Sequence, residues 1–129
     1  MKKINQDTKF DEEELREKIT ELSACNTTEQ IIQCLQEINK IFLENYDIKI
    51  NDIVVEPLQV ETYYDNEKQN FRDKNIHHAP EQKNNFGKLY LHKKVRGGIY
   101  ICLSDSDDFY LSLLIKTSRI GTEYFTQTE

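Results

Sequence analysis

The stretch "DIKINDIVVEPLQVETYY", residues 47–64, decides the fold class, because it ends the helical pattern before it and sets the pattern after it. It is rich in β-branched and aromatic residues, the types that pack best on a pleated surface. Pro57 marks a break, a bend or an edge within it, since proline cannot donate to a strand ladder. The runs "KLYLHKK" (88–94), "GIYICLS" (98–104) and "FYLSLLIKT" (109–117) have the same character. Arg96-Gly97-Gly98 and Asp105-Ser106-Asp107-Asp108 separate them and have the composition of turns.

Upstream the spacing is helical. Residues 8–23 read as a helix with Asp7 or Thr8 as cap, an acidic first turn from Asp11 to Glu14, and Leu15, Ile19 and Leu22 on one face. A second helix is written in "NTTEQIIQCLQEINKIFLENY" (26–46). Asn26 or Thr27 can cap it, Glu29 or Gln30 follows three residues on, and Ile31, Leu35, Ile38 and Phe42 form the buried face. The expected fold is α+β: one domain over residues 1–129, with a helical hairpin (1–46) packed on a curved, mostly antiparallel sheet or partly open β-barrel (47–129) of five or more strands.

A chain of 129 residues fits one hydrophobic core. Its 37% apolar and 31% charged residues leave little core per residue, so pairing of two copies through the helical hairpin is one expectation. No run approaches the ~20 apolar residues of a membrane span, and "MKKINQDTKF" has no apolar signal region, so no membrane association and a cytoplasmic location are expected. Cys25, Cys34 and Cys102 have neither CxxC nor metal-ligand spacing and read as buried thiols; no metal and no cofactor is expected. The net charge of −6 opposes tight nonspecific binding to a polyanion. Charge is uneven, however. From Gln82 to Ser104 there is no acidic residue, while Lys83, Lys88, Lys93, Lys94 and Arg96 supply positive charge, either as a solvated face or as a local anion site.

Two places carry candidate chemistry. In a strand Gln59, Glu61 and Tyr63 share one face while Val60, Thr62 and Tyr64 share the other. Either Gln59 and Glu61 face solvent on an antiparallel sheet, or Glu61 is a desolvated carboxylate beside an aromatic wall, able to activate water or bind a ligand. The polar segment from about residue 65 to 86 has no periodicity, and loops of that length are usually functional or disordered. It holds His77 and His78, readable as surface residues or as acid/base and phosphate contacts. His92 lies two residues from Tyr90 on a later strand. Gly97-Gly98 is a turn and not a phosphate-binding glycine loop.

Taken in series, "VETYY", "HHAPEQ", "FGKLYLH", "IYICLS" and "LLIKTSRIG" resemble the methylpurine-DNA glycosylase (alkyladenine DNA glycosylase) family, especially its compact bacterial and phage-type relatives, over about residues 53–121. The resemblance implies roles residue by residue. Glu61 matches the catalytic glutamate that activates water, and Tyr63 the aromatic that stacks on the flipped base. His77 matches the histidine that bonds the base or its 5′ side, and Gln82 falls in the loop pattern that follows. Tyr90 and His92 match the two aromatics walling the base pocket, and Ser104 stands at the asparagine that helps discriminate purines. Lys116 matches an arginine near the nucleic-acid backbone, with the charge kept and the bidentate fork lost.

Departures from the family bear on the partner. The tyrosine wedge that enters the duplex where the base has left has no counterpart, since this region reads Arg96-Gly97-Gly98. One wall tyrosine has become His92, a titratable face. Two functions follow. The first is a purine-specific N-glycosylase acting on DNA or on a free nucleotide, with Glu61 activating water. The second is a non-catalytic nucleotide-binding or sequestering protein using the same pocket, with Lys88, Lys93, Lys94, Arg96 and Lys116 on phosphates. A third reading is an interaction protein whose pocket is idle. The expected partner is a purine-containing ligand, a modified DNA base or a free nucleotide, with duplex DNA left open.

Overall fold

The computed structural model describes residues 2–5, 12–73, 83–91 and 98–126. In chain order the elements are β1 (Lys2–Asn5), α1 (Glu13–Ser23), α2 (Thr28–Asn45), β2 (Tyr46–Ile50), β3 (Ile53–Asp65), β4 (Leu89–Leu91), β5 (Ile99–Cys102), β6 (Tyr110–Ile120) and β7 (Glu123–Thr126). The sheet order is β1-β2-β3-β6-β5-β4, with β7 also paired to β6. All pairings are antiparallel except β1 with β2, and the sheet curls strongly into a half-barrel with the helical hairpin on one face. The α+β expectation holds.

Both helices form where their apolar spacing puts them. α1 buries Leu15, Ile19 and Leu22 but starts at Glu13, about one turn later than the sequence pattern suggests, and Glu12 makes no side-chain cap. Asp7 and Thr8 lie outside the described residues. α2 starts with a full capping box: the Thr27 hydroxyl accepts from the Gln30 amide at 3.1 Å while the Gln30 side chain accepts from the Thr27 amide. The buried face of α2 is Ile31, Cys34, Ile38 and Phe42, so Cys34 takes the central place expected for Leu35, which is partly buried. Among the described residues no helix is long and apolar enough to cross a membrane.

β2 and β3 join through Asn51-Asp52, both at positive φ (47° and 67°), the backbone a two-residue hairpin turn of type I′ needs. β3 then runs through Pro57 without ending. The register with β6 slips twice: Pro57 faces Ser118 and Gln59 faces Thr117, leaving Leu58 extra on β3, and Val60 faces Ile115, leaving Lys116 extra on β6. These two β-bulges offset each other and bend the pair. They also flip the side-chain alternation, so Val55 and Pro57 are buried on one side of the bulge and Tyr64 on the other. β7 follows β6 across Gly121-Thr122, where Gly121 takes φ 62°.

One cluster of buried side chains joins both helices to the sheet, through Leu15, Ile19, Ile38 and Phe42 on the helices and Ile48, Tyr64, Ile101, Leu111 and Leu113 on the strands. β6 is buried continuously from Leu111 to Ile115, as a strand covered on both faces must be.

The polar segment after β3 begins as ordered structure. Asn66 accepts from the Lys68 amide at 3.0 Å and starts a short 3₁₀ turn, Glu67–Gln69, closed by Asn70 in the left-handed region and by backbone bonds between Asn66 and Phe71. Gln69 Nε2 donates to the Leu22 carbonyl at 2.7 Å and to the Cys25 carbonyl at 3.1 Å, satisfying the free end of α1. The Tyr64 hydroxyl donates to Gln69 Oε1 and accepts from Asn66 Nδ2 at 2.8 Å. A buried polar knot therefore ties the end of β3 to the end of α1. Burial raises the Tyr64 phenol from 10.0 to about 12.

Candidate functional site

The β3–β6–β5–β4 register carries a row of side chains across the face turned away from the helices. Glu61 stands opposite Leu114, Leu114 opposite Tyr100, and Tyr100 opposite Tyr90. The next row holds Tyr63, Ser112 and Cys102. Opposed residues in a ladder point to the same side, so these form one surface. Thr62 and Tyr64, the residues between, turn the other way: Thr62 donates to Asn39 on α2, and Tyr64 enters the knot on α1.

Glu61 is the hub of this surface. Tyr63 donates its hydroxyl to Glu61 Oε2 at 2.5 Å, and the Lys116 ammonium lies 3.8 Å from Oε1. Tyr63 reaches Glu61 because residues two apart on a strand share a face. Lys116 reaches it from the bulge. There Lys116 and Thr117 both turn to the Glu61 side, Lys116 toward Glu61 and Thr117 to Gln59 Oε1 at 2.8 Å. The Glu61 side chain is 40% exposed and that of Lys116 19%. Glu61 is thus partly sheltered and held at both oxygens, not desolvated. The bond from Tyr63 fixes the rotamer of the Glu61 side chain. Around it the surface is deeply covered: Leu114, Ser112 and Cys102 are 5%, 1% and 0% exposed.

The expected site residues fall into three groups. Glu61, Tyr63, Tyr90 and Lys116 are on this one surface. His77, Gln82, His92, Lys93, Lys94 and Arg96 lie outside the described residues. Ser104 is engaged in a turn, and Lys88 lies beside Tyr90 at the border of the surface. The Ser104 hydroxyl is fully buried, 2.8 Å from the carbonyls of both Ser106 and Phe109, and so shapes the turn before β6. Lys88 is exposed, with its ammonium 5.4 Å from the centre of the Tyr90 ring. Tyr100 is the surface member the sequence reading passed over. Its signal was available, since it sits two residues before Cys102 in "GIYICLS", on the same side of the strand.

Other charged groups serve the scaffold. Asp65 is 5% exposed and accepts from Arg72 Nε at 2.9 Å and the Asp73 amide at 3.1 Å. Among the described residues no three His, Cys, Asp or Glu side chains converge as metal ligands.

No protein-family model matches this chain, and no curated protein or solved structure matches it.

Proposed function

We propose that this protein recognises a purine base or nucleotide on the helix-free face of its sheet, in the manner of the methylpurine-DNA glycosylases, with Glu61 promoting hydrolysis of the N-glycosidic bond. The observation that carries the reading is the Glu61 cluster: a carboxylate fixed by Tyr63 at 2.5 Å and neighboured by Lys116 at 3.8 Å, in register with the rings of Tyr100 and Tyr90. A flat heterocycle is bound most economically by rings on a rigid sheet, and these tyrosines offer such rings. Hydrolysis of an N-glycoside passes through an oxocarbenium-like sugar. An oriented carboxylate can stabilise that charge and accept the proton of the attacking water. The base leaves readily only when it carries positive charge, so a methylated purine is the natural substrate class.

A second reading keeps the same surface without turnover. The Lys116 ammonium beside Glu61 already offsets its charge, as suits a pocket that holds a purine nucleotide with Lys116 turned to a phosphate. With an acidic balance of −6 and no wedge tyrosine in the sequence, a free nucleotide or single-stranded segment suits either reading better than intact duplex. The free thiols accord with a cytoplasmic location.

The test is release of 7-methylguanine from 7-methylguanosine and from an oligonucleotide carrying that base, by the wild type and by Glu61→Gln. A glycosylase loses about 10²–10⁴-fold in turnover on the substitution while keeping its ligand. Binding without release by either protein selects the second reading. Neither binding nor release refutes both.

A further inference from the structure

On the opposite side of the molecule from the Glu61 surface, a groove of about 600 Å³ runs along the helical hairpin and is lined by both Cys25 and Cys34. Cys25 follows the C-cap of α1 in non-helical backbone, and Cys34 sits in the second turn of α2. Their sulfurs are drawn to one stretch of α1. The Cys25 thiol donates to the Glu21 carbonyl at 3.2 Å and the Cys34 thiol to the Lys18 carbonyl at 3.4 Å. Carbonyls three residues apart on a helix are only about 5 Å apart along its axis. Cys25 is partly exposed and Cys34 buried, which makes the first an entry point and the second a resolving thiol.

We propose that Cys25 and Cys34 are an oxidisable dithiol that a hydroperoxide closes to an intramolecular disulfide, tying the end of α1 to α2. In the first step the Cys25 thiolate attacks the peroxide. The O–O bond breaks, Cys25 becomes a sulfenic acid, and the leaving oxygen takes a proton and departs as water or an alcohol. In the second the Cys34 thiolate attacks the Cys25 sulfur; the S–S bond forms and the S–O bond breaks, hydroxide leaving with a proton as water. Two thiols lose two electrons and the peroxide gains them. The geometry needs the sulfurs to close to about 2.05 Å. Cys25 can supply the shift, since it is outside the helix. The tie falls at a joint that matters, because the Cys25 carbonyl is one of the two acceptors of Gln69, which the Tyr64 hydroxyl joins to β3.

Burial raises both thiols, Cys34 to about 11, so little thiolate is present at neutral pH and the reaction is slow there. Only the thiolate reacts, so the rate should climb about tenfold per pH unit below the thiol's ionisation.

The experiment treats the folded full chain with hydrogen peroxide at about pH 8.5 and again at about pH 9.5, where more thiolate is present. The expected result is loss of two of the three free thiols, a Cys25–Cys34 cross-link in a non-reducing peptide map, a monomeric product, and a higher Tm that dithiothreitol reverses. C25S and C34S should each abolish the cross-link, and C102S should keep it. The proposal is overturned by sulfinic acid at Cys25 with Cys34 still reduced, by dimers linked through Cys25, or by three intact thiols after hours at the higher pH.

Discussion

Tyr63 and Tyr64 are neighbours in sequence and belong to different parts of the molecule's physics. Tyr64 points into the helix-covered side, is 1% exposed, and spends its hydroxyl on Gln69 and Asn66 to join β3 to α1. Tyr63 points to the other side and spends its hydroxyl on one carboxylate. On the first side Thr62, Tyr64, Asn66 and Gln69 complete structural bonds; on the second, a carboxylate, a largely buried ammonium and several half-buried rings are gathered. Parity along one strand thus separates a side that packs against the helices from a side proposed to meet the ligand.

Substitutions on the two sides should separate those roles. The largest loss of stability is expected from Leu113→Ala, which deletes a fully buried side chain opposite Thr62. It should lower the unfolding free energy by about 2–5 kcal/mol, seen as a lower urea midpoint with an unchanged slope. A loss below about 1 kcal/mol would mean the helix-covered side is not the tight core described.

Tyr64→Phe is the next in size. It leaves Gln69 and Asn66 without their shared partner and should cost about 1–3 kcal/mol. The same substitution should change the alkaline limb of stability. The phenol of Tyr64, raised from 10.0 to about 12, and the thiol of Cys34, raised from 9.0 to about 11, are neutral acids that the fold keeps protonated. Above the ordinary pKa the unfolded chain has released protons that the native state still holds, so stability falls with rising pH. The contribution is whole below about pH 9 and is lost progressively as pH rises toward 12, by on the order of 1 kcal/mol per unit for each group. Urea unfolding at stepped pH values checks this, and Tyr64→Phe should flatten the upper part of the fall.

Thr27→Ala removes the hydroxyl half of the α2 capping box and should cost about 1 kcal/mol by the same measurement. The smallest stability change is expected on the far side: Glu61→Gln, at a 40% exposed side chain, should shift unfolding by no more than about 0.5 kcal/mol. A large destabilisation there would make the Glu61 cluster part of the scaffold and remove the contrast between the sides.

Much of this was legible in residues 15–64. The 3.6 period of Leu15, Ile19 and Leu22, the Thr27–Gln30 box and the β-branched run after Tyr46 each depend on local spacing, which sequence displays directly. β1 and β7 were not legible, because four residues such as "KKIN" or "EYFT" are too few to show a period, and pairing with a neighbour alone makes them strands. Nor were the bulges, which exist only in the register between β3 and β6. That is why Glu61 and Tyr63 could be paired from their i, i+2 spacing, whereas the turn of Lys116 toward Glu61 could not be foreseen. The place of Ser104 was hidden for a related reason: its buried hydroxyl answers to carbonyls two and five residues on, a turn contact that its type does not announce.

On the proposed function, the Glu61 side of the sheet, and not the helix side, receives a purine. Titrating 7-methylguanosine monophosphate into labelled protein and following ring resonances by NMR tests it at adjacent residues. The rings of Tyr63, Tyr100 and Tyr90 should shift with ligand while that of Tyr64 stays in place. Shifts that gather on α1 and α2, or none at saturating ligand, would contradict it.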